Sequence, residues 1–126
     1  GPADSTGPAN GQSRPSWAGY RERMLTEAYG AEIGKALGRW VRVERDLGSR
    51  TLGRAPSLHI HNKVMDITDY GDRLVALQAA SSPGGKAQEI DAMLKIAGAK
   101  GWKALTVTGS ADFQMRAGAA ALAAGF

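Results

Sequence analysis

The chain has 126 residues, which is enough for one domain and leaves little for a second. Hydrophobic residues make up 43% of it and aromatic residues only 6%, so we expect a real but modest core. It contains no cysteine, which excludes disulfides, thiolate metal sites and cysteine nucleophiles. Nothing resembles a signal peptide or an apolar run of membrane-spanning length, so we expect a cytoplasmic protein.

Both ends of the chain indicate a module cut from a larger protein. Gly1-Pro2 is typical of the scar that a protease leaves when it removes an expression tag. Residues 1–16 are mostly glycine, proline and small polar residues without apolar periodicity, which predicts a disordered leader. An alanine-rich helix stops at Gly125-Phe126 as if another strand should follow. We expect residues 17–126 to form a single domain that is monomeric in isolation.

The N-terminal half begins with helical patterns and then changes to a strand pattern. Apolar residues recur at spacings of three and four over Trp17–Tyr29, which predicts a helix. Gly30 ends or interrupts this helix, and Ile33 and Leu37 fit a short second helical segment. In Arg39–Arg45 two valines alternate with charged residues, which predicts a strand with one solvent-facing side.

The middle of the chain predicts an antiparallel sheet. Residues 46–57 contain two glycines and a proline and form a loop. Three extended segments follow, and turn-forming residues separate them. These segments are Leu58–His61, Lys63–Thr68 and Arg73–Leu77.

The last third predicts a helix, a strand and a helix. Apolar residues in Ala87–Ala99 have helical spacing, and Trp102–Thr108 has the composition of a buried strand. Ser110 is a natural cap for a final helix over Ala111–Ala124. The predicted fold class is therefore α+β: an N-terminal helix, a small antiparallel sheet, and a helix–strand–helix unit packed on the sheet.

Two stretches of this sequence have the pattern of a known family. They are DYGDRL at residues 69–74 and GWKALTVTGS at residues 101–110, and Phe113 and Arg116 follow them. On these residues the chain resembles the large polyvalent protein-associated domain number seven, which is found beside relaxase domains in conjugative and mobilisation proteins. Tyr20–Arg23 and Tyr29-Gly30 also look like the opening helix of that family, so the resemblance covers about residues 17–126.

The resemblance implies an accessory role rather than a reaction. It points to an auxiliary domain of a relaxase or a similar plasmid protein, working near the origin of transfer. It carries over no catalytic residues and no cofactor. We therefore expect a domain that is not an enzyme.

The motif His59-Ile60-His61 is the strongest hint of metal chemistry, because alternate residues on a strand face the same side and can share an ion. The chain has no other histidine. A third ligand would have to be a carboxylate, such as Asp66, Asp69 or Asp72. Since no complete ligand set or nucleophile–base pair can be assembled, the sequence predicts no metal site and no catalytic site. It leaves open a weak ion site at the two histidines.

Charge is the better functional signal. The net charge is +4, and the excess of basic residues lies in the first half of the chain. From Arg14 to Lys63 there are ten Lys and Arg and five Asp and Glu, whereas from Val64 onward there are six of each kind. Guanidinium groups bind phosphate oxygens with paired hydrogen bonds, and basic surfaces release counterions from nucleic acids. The sequence predicts nucleic-acid binding through seven residues: Arg39, Trp40, Arg42, Arg45, Arg50, Arg54 and Lys63.

Two roles are open for Trp40 and two for the whole module. The Trp40 ring either stacks on a base between Arg39 and Arg42 or packs into the core, and we favour the core. The module either binds single- or double-stranded DNA near the transfer origin, or it recognises other proteins. In the second case it would link the relaxase to the coupling and type IV secretion machinery through an apolar patch or an exposed sheet edge.

Overall fold

The structure is a computed structural model that describes residues 17–76 and 83–126. The leader predicted over residues 1–16 lies outside the described residues, and so does Leu77, the last residue of one predicted strand. Among the described helices, none has both the length and the hydropathy needed to cross a membrane.

Two helices open the fold and form an antiparallel hairpin. They are α1 (Trp17–Tyr29) and α2 (Ala31–Leu37), as the apolar spacing predicted. Gly30 lies between them with a φ of 99°, a conformation that residues with a side chain rarely adopt. The two helices approach so closely at Gly34 that a Cβ there would lie 2.1 Å from Thr26 Oγ1.

Four antiparallel strands follow in the order β1-β2-β3-β4, which confirms the predicted sheet. Their bounds are β1 (Arg42–Asp46), β2 (Ser57–His61), β3 (Asp66–Asp69) and β4 (Leu74–Ala76). Side chains alternate between the two faces of a strand, so the buried Leu58 and Ile60 point to the helices. His59 and His61 therefore lie on the outer face of the sheet.

Two helices end the described chain, α3 (Pro83–Ala99) and α4 (Ala111–Ala123). Helix α3 packs on β3, β4, α2 and α4. Ser110 caps α4 as predicted, because its hydroxyl oxygen accepts a hydrogen bond from the Phe113 N–H at 3.1 Å. The α+β class is confirmed.

The strand predicted at Trp102–Thr108 is wrong. Within the described residues this segment is irregular and joins no ladder of the sheet. Leu105 and Val107 are nevertheless half-buried, and they line a cavity with Val75 and Phe113. The apolar composition of the segment therefore matches its partial burial, but a strand also needs a hydrogen-bonded neighbour.

The core lies between the inner face of the sheet and the helices. Its most completely buried large side chains are Leu25, Val41, Ile60, Ile67 and Ile96. The favoured core position of Trp40 is wrong, because Trp40 is 67% exposed. Val41 takes the inward position at this point of the chain, and its neighbour is consequently directed to solvent.

Candidate functional site

One end of the sheet brings together four of the seven residues predicted to bind nucleic acid. The Asn62 side-chain amide donates a hydrogen bond to the Trp40 carbonyl oxygen at 3.1 Å, which joins the turn before β1 to the turn between β2 and β3. Arg42 pairs with His61 in the register of β1 and β2. We call this group the basic end, and its members are Arg39, Trp40, Arg42 and Lys63.

Asn62 fixes the geometry of the basic end because its side chain uses both of its polar atoms. Its Oδ1 accepts hydrogen bonds from the N–H groups of Val64 and Met65, at 2.8 and 2.9 Å. This side-chain-to-backbone bonding closes the turn that carries Lys63. Its Nδ2 is left to hold Trp40, so one residue positions both turns.

The cations of the basic end are available to a ligand. Within the described residues Arg39, Arg42 and Lys63 form no ion pair with a carboxylate, and all three are exposed. Trp40 presents its ring to solvent beside them. Proteins that bind single-stranded nucleic acids commonly present an exposed aromatic ring among cations. The ring stacks on a base while the cations contact phosphates.

The other three predicted residues lie at the opposite end of β1, about 14 Å away for a strand of this length. Arg45 lies 3.8 Å from a Glu27 carboxylate oxygen, and Arg54 lies 3.2 Å from Asp46 Oδ1. Arg50 is exposed in the loop that the Ser49–Arg54 backbone pairing closes. The seven predicted residues therefore form two groups, and two of the three arginines in the second group already face an acid.

Between the two groups, the outer face of the sheet carries a cluster that sequence reasoning found only in part. The rings of His59 and His61 are stacked, with centroids 4.4 Å apart and 23° between their planes. Glu44 lies across from them on β1: its Oε2 is 3.7 Å from His59 Nδ1 and its Oε1 is 3.5 Å from His61 Nε2. Asp66 forms a hydrogen bond with His59 Nε2 from the other side. We call these four residues the histidine cluster.

The two other carboxylates considered as partners of the histidines lie elsewhere. Asp69 points to the helices, where it accepts hydrogen bonds from Tyr29 at 2.7 Å and from Lys100 at 3.0 Å. Burial, and then the hydrogen bond to Asp69, raise the pKa of Tyr29. Asp72 is in the turn before β4, 3.4 Å from Arg73. Only Asp66 among the three candidates approaches the histidines.

A further surface on the helical side is largely apolar. An open groove of about 1050 Å³ runs between α2, α3 and α4, and Ile33, Ile90, Leu94 and Ala120 are among the residues that line it. On the outside of α4, two apolar side chains seven residues apart share one helix face. They are Met115, 69% exposed, and Leu122, 77% exposed.

A comparison with protein families identifies the family of the chain. The model of the large polyvalent protein-associated domain 7 matches residues 45–126, about two thirds of the chain. The chain belongs to this family. The resemblance inferred from the DYGDRL and GWKALTVTGS stretches is thereby confirmed. No significant match was found among curated proteins or among solved structures.

The family match includes different shares of the two candidate sites. The matched part of the large polyvalent protein-associated domain 7 contains His59, His61 and Asp66, and it starts one residue after Glu44. Of the basic end it contains Lys63 alone, because Arg39 to Arg42 precede it. The turn after α2 and the first three residues of β1 therefore add the residues that complete both candidate sites.

Proposed function

We propose that this domain is a non-catalytic accessory module of a plasmid conjugation or mobilisation protein such as a relaxase, and that its basic end binds DNA. Membership of the family supports the accessory role. The observation that carries the DNA-binding part is the exposed Trp40 ring beside three cations that no acid neutralises in the described residues. The proposal includes a cytoplasmic location and a monomeric domain.

The preferred ligand in this proposal is single-stranded DNA. An indole ring can stack on an unpaired base, whereas the bases of a duplex are already stacked on one another. Arg39 and Arg42 flank Trp40 in the chain, so their guanidinium groups would hold the phosphates on either side of the stacked base. Lys63 adds a third charge from the neighbouring turn.

The test is fluorescence anisotropy with labelled single- and double-stranded DNA at two salt concentrations. For about three neutralised phosphates, the affinity for the single strand falls roughly 20-fold between about 50 and 200 mM salt. The double variant Arg39→Ala/Arg42→Ala weakens binding and makes the salt dependence shallower. Trp40→Ala weakens single-strand binding about tenfold and leaves the salt dependence as it was.

The second arginine group provides the matched control. Arg50→Ala/Arg54→Ala removes the same net charge from the opposite end of β1. We expect this variant to bind single-stranded DNA within about twofold of the parent. Equal losses in the two double variants would mean that general charge, and not the basic end, attracts DNA.

Recognition of another protein is the alternative, and the exposed Met115 and Leu122 favour it. Exposed apolar side chains on one helix face, together with an open and largely apolar groove, are typical of a protein-binding surface. In that case the link would be between a relaxase and its coupling or secretion machinery. Absence of salt-dependent DNA binding in the parent protein would reject the DNA proposal and leave this alternative.

A further inference from the structure

His61 in the histidine cluster has a ring nitrogen that the fold leaves unsatisfied. In the part of the chain that the structure describes, Nε2 is buried and has no hydrogen-bond partner. Glu44 Oε1 lies 3.5 Å away without forming a hydrogen bond to it. Buried polar atoms are normally satisfied, so this gap between a nitrogen and a carboxylate oxygen calls for a ligand that contacts both.

His59 is also oriented so that one ring nitrogen can bind a ligand. Asp66 accepts a hydrogen bond from Nε2, and a neutral imidazole that donates from Nε2 has its lone pair on Nδ1. That Nδ1 faces Glu44 Oε2 at 3.7 Å. A carboxylate that holds one ring nitrogen so that the other can bind a metal is the usual second layer of support at histidine metal sites.

The separations between these atoms suit a small ion. Ligand atoms bound to a tetrahedral zinc ion at 2.0–2.2 Å lie about 3.3–3.6 Å apart. Glu44 Oε1 lies 3.5 Å from His61 Nε2, and Glu44 Oε2 lies 3.7 Å from His59 Nδ1. One ligand atom from each of Glu44, His59 and His61 lies within 4.8 Å of the others. The Glu44 side chain is exposed, so its carboxylate can shift to bring one oxygen closer to both nitrogens.

We infer that Glu44, His59 and His61 form a binding site for a divalent transition-metal ion, with Zn²⁺ the best fit, and that Asp66 positions His59. Two imidazoles and one carboxylate are a ligand set that zinc accepts with a fourth position open to solvent, whereas Mg²⁺ and Ca²⁺ prefer oxygen ligands. The carboxylates of Glu44 and Asp66 offset the charge of the ion. Arg42, beside His61 across the β1–β2 pair, opposes it.

The test is a Zn²⁺ titration of the metal-free protein in competition with a chromophoric chelator. We expect the protein to bind one equivalent of Zn²⁺. When Co²⁺ replaces Zn²⁺, we expect a visible absorption band typical of tetrahedral coordination. Because the chain has only two histidines, NMR resonances of both rings should shift with the same single equivalent. Mg²⁺ should leave these resonances in place.

Three substitutions and one control locate the ion. Glu44→Gln and His61→Gln should each lower the Zn²⁺ affinity more than about 100-fold. Asp66→Asn removes only the hydrogen bond that positions His59, and it should lower the affinity about 10–100-fold. Asp91→Asn alters an exposed carboxylate of α3 and should leave the affinity unchanged. Glu44 is solvent-exposed, so Glu44→Gln is expected to keep the fold, which circular dichroism can verify.

Two outcomes overturn the inference. No saturable Zn²⁺ binding by the parent would mean that the histidines and acids are only packed together. Zn²⁺ affinity that is equal in the parent, Glu44→Gln and His61→Gln would mean adventitious binding elsewhere on the surface. Either result is independent of DNA binding, because the metal titration contains no nucleic acid.

Discussion

At the scale of single residues, Asp69 joins three parts of the fold. Its carboxylate accepts hydrogen bonds from the Tyr29 hydroxyl of α1, from Lys100 after α3, and from the Gly71 N–H at 2.7 Å. The last of these is the side-chain-to-backbone bond that an aspartate before a glycine turn predicts. Removing this carboxylate from water is unfavourable because it is buried, and the contacts with the Tyr29 hydroxyl and the Lys100 ammonium offset that penalty.

Lys100 should therefore be much more important for stability than a surface lysine. Its side chain is 18% exposed, and its ammonium lies 3.0 Å from Asp69 Oδ1. Lys100→Met leaves a buried carboxylate without its counter-charge, and we expect the free energy of unfolding to fall by about 2 kcal/mol. The measurement is urea denaturation at pH 7.

Lys95 provides the control for this prediction. It forms an exposed pair with Asp91 one helical turn away, and such pairs contribute little. Lys95→Met should change the free energy of unfolding by no more than about 0.5 kcal/mol. Similar losses in the two variants would show that the Asp69–Lys100 pair does not hold α3 to the sheet.

The histidine cluster illustrates how far residue spacing can predict a site. The His59-Ile60-His61 alternation correctly placed both rings on one face of a strand, and Asp66 was among the carboxylates named. Glu44 was missed because it lies 15 residues before His59, across a loop. Only the register of β1 with β2 brings Glu44 opposite His59, and the conformation of that loop sets the register.

At the scale of elements, the helical hairpin depends on a glycine that helix propensity would disfavour. A Cβ on Gly34 would lie 2.1 Å from Thr26 Oγ1 and 3.0 Å from the Glu22 carbonyl oxygen. Alanine is the better helix former by about 1 kcal/mol, but the backbone of α1 cannot give way without separating the helices. We expect Gly34→Ala to lower the free energy of unfolding by about 2 kcal/mol.

Gly118 within α4 is the matched control, because a Cβ there would meet nothing within 4 Å. Gly118→Ala should raise the free energy of unfolding by about 0.5–1 kcal/mol through helix propensity alone. Thermal denaturation of both variants measures the contrast. Stabilisation by Gly34→Ala would mean that α1 and α2 are not closely packed in solution.

The elements themselves were largely predictable, and the exceptions have a common cause. Periodicity and turn residues located the four helices and four strands that the described residues form. The extra strand at Trp102–Thr108 and the core position of Trp40 were wrong, since both were judged from apolar character alone. Which apolar segment finds a ladder partner, and which of two neighbours faces inward, depends on contacts that lie far apart in the sequence.

At the scale of the whole molecule, the lopsided charge did not by itself define a surface. Ten basic residues in one half of the chain suggested a continuous positive face. The fold instead places Arg42 and Arg45 near opposite ends of β1, on opposite faces, with Glu44 between them. A count of charges predicts an attraction to polyanions, whereas the location of the contact requires the sheet.

The buried link between Tyr29 and Asp69 connects the stability of the whole domain to alkaline pH. Burial, followed by the hydrogen bond to Asp69 and its charge, raises the pKa of Tyr29 above the ordinary value of 10.0. Above about pH 10 the unfolded chain therefore loses the phenol proton while the folded chain keeps it. The stability that this group contributes is complete below that pH and declines as the pH rises further.

Tyr29→Phe should remove this pH dependence. Above about pH 10 the free energy of unfolding of the parent should fall faster than that of Tyr29→Phe, by up to about 1.4 kcal/mol per pH unit. Urea denaturation at several values between about pH 8 and 11 gives both curves. Other groups that titrate in this range are present in both proteins, so their difference isolates the contribution of Tyr29. Parallel curves would mean that the hydroxyl of Tyr29 is open to water and that α1 is not tied to β3 through Asp69.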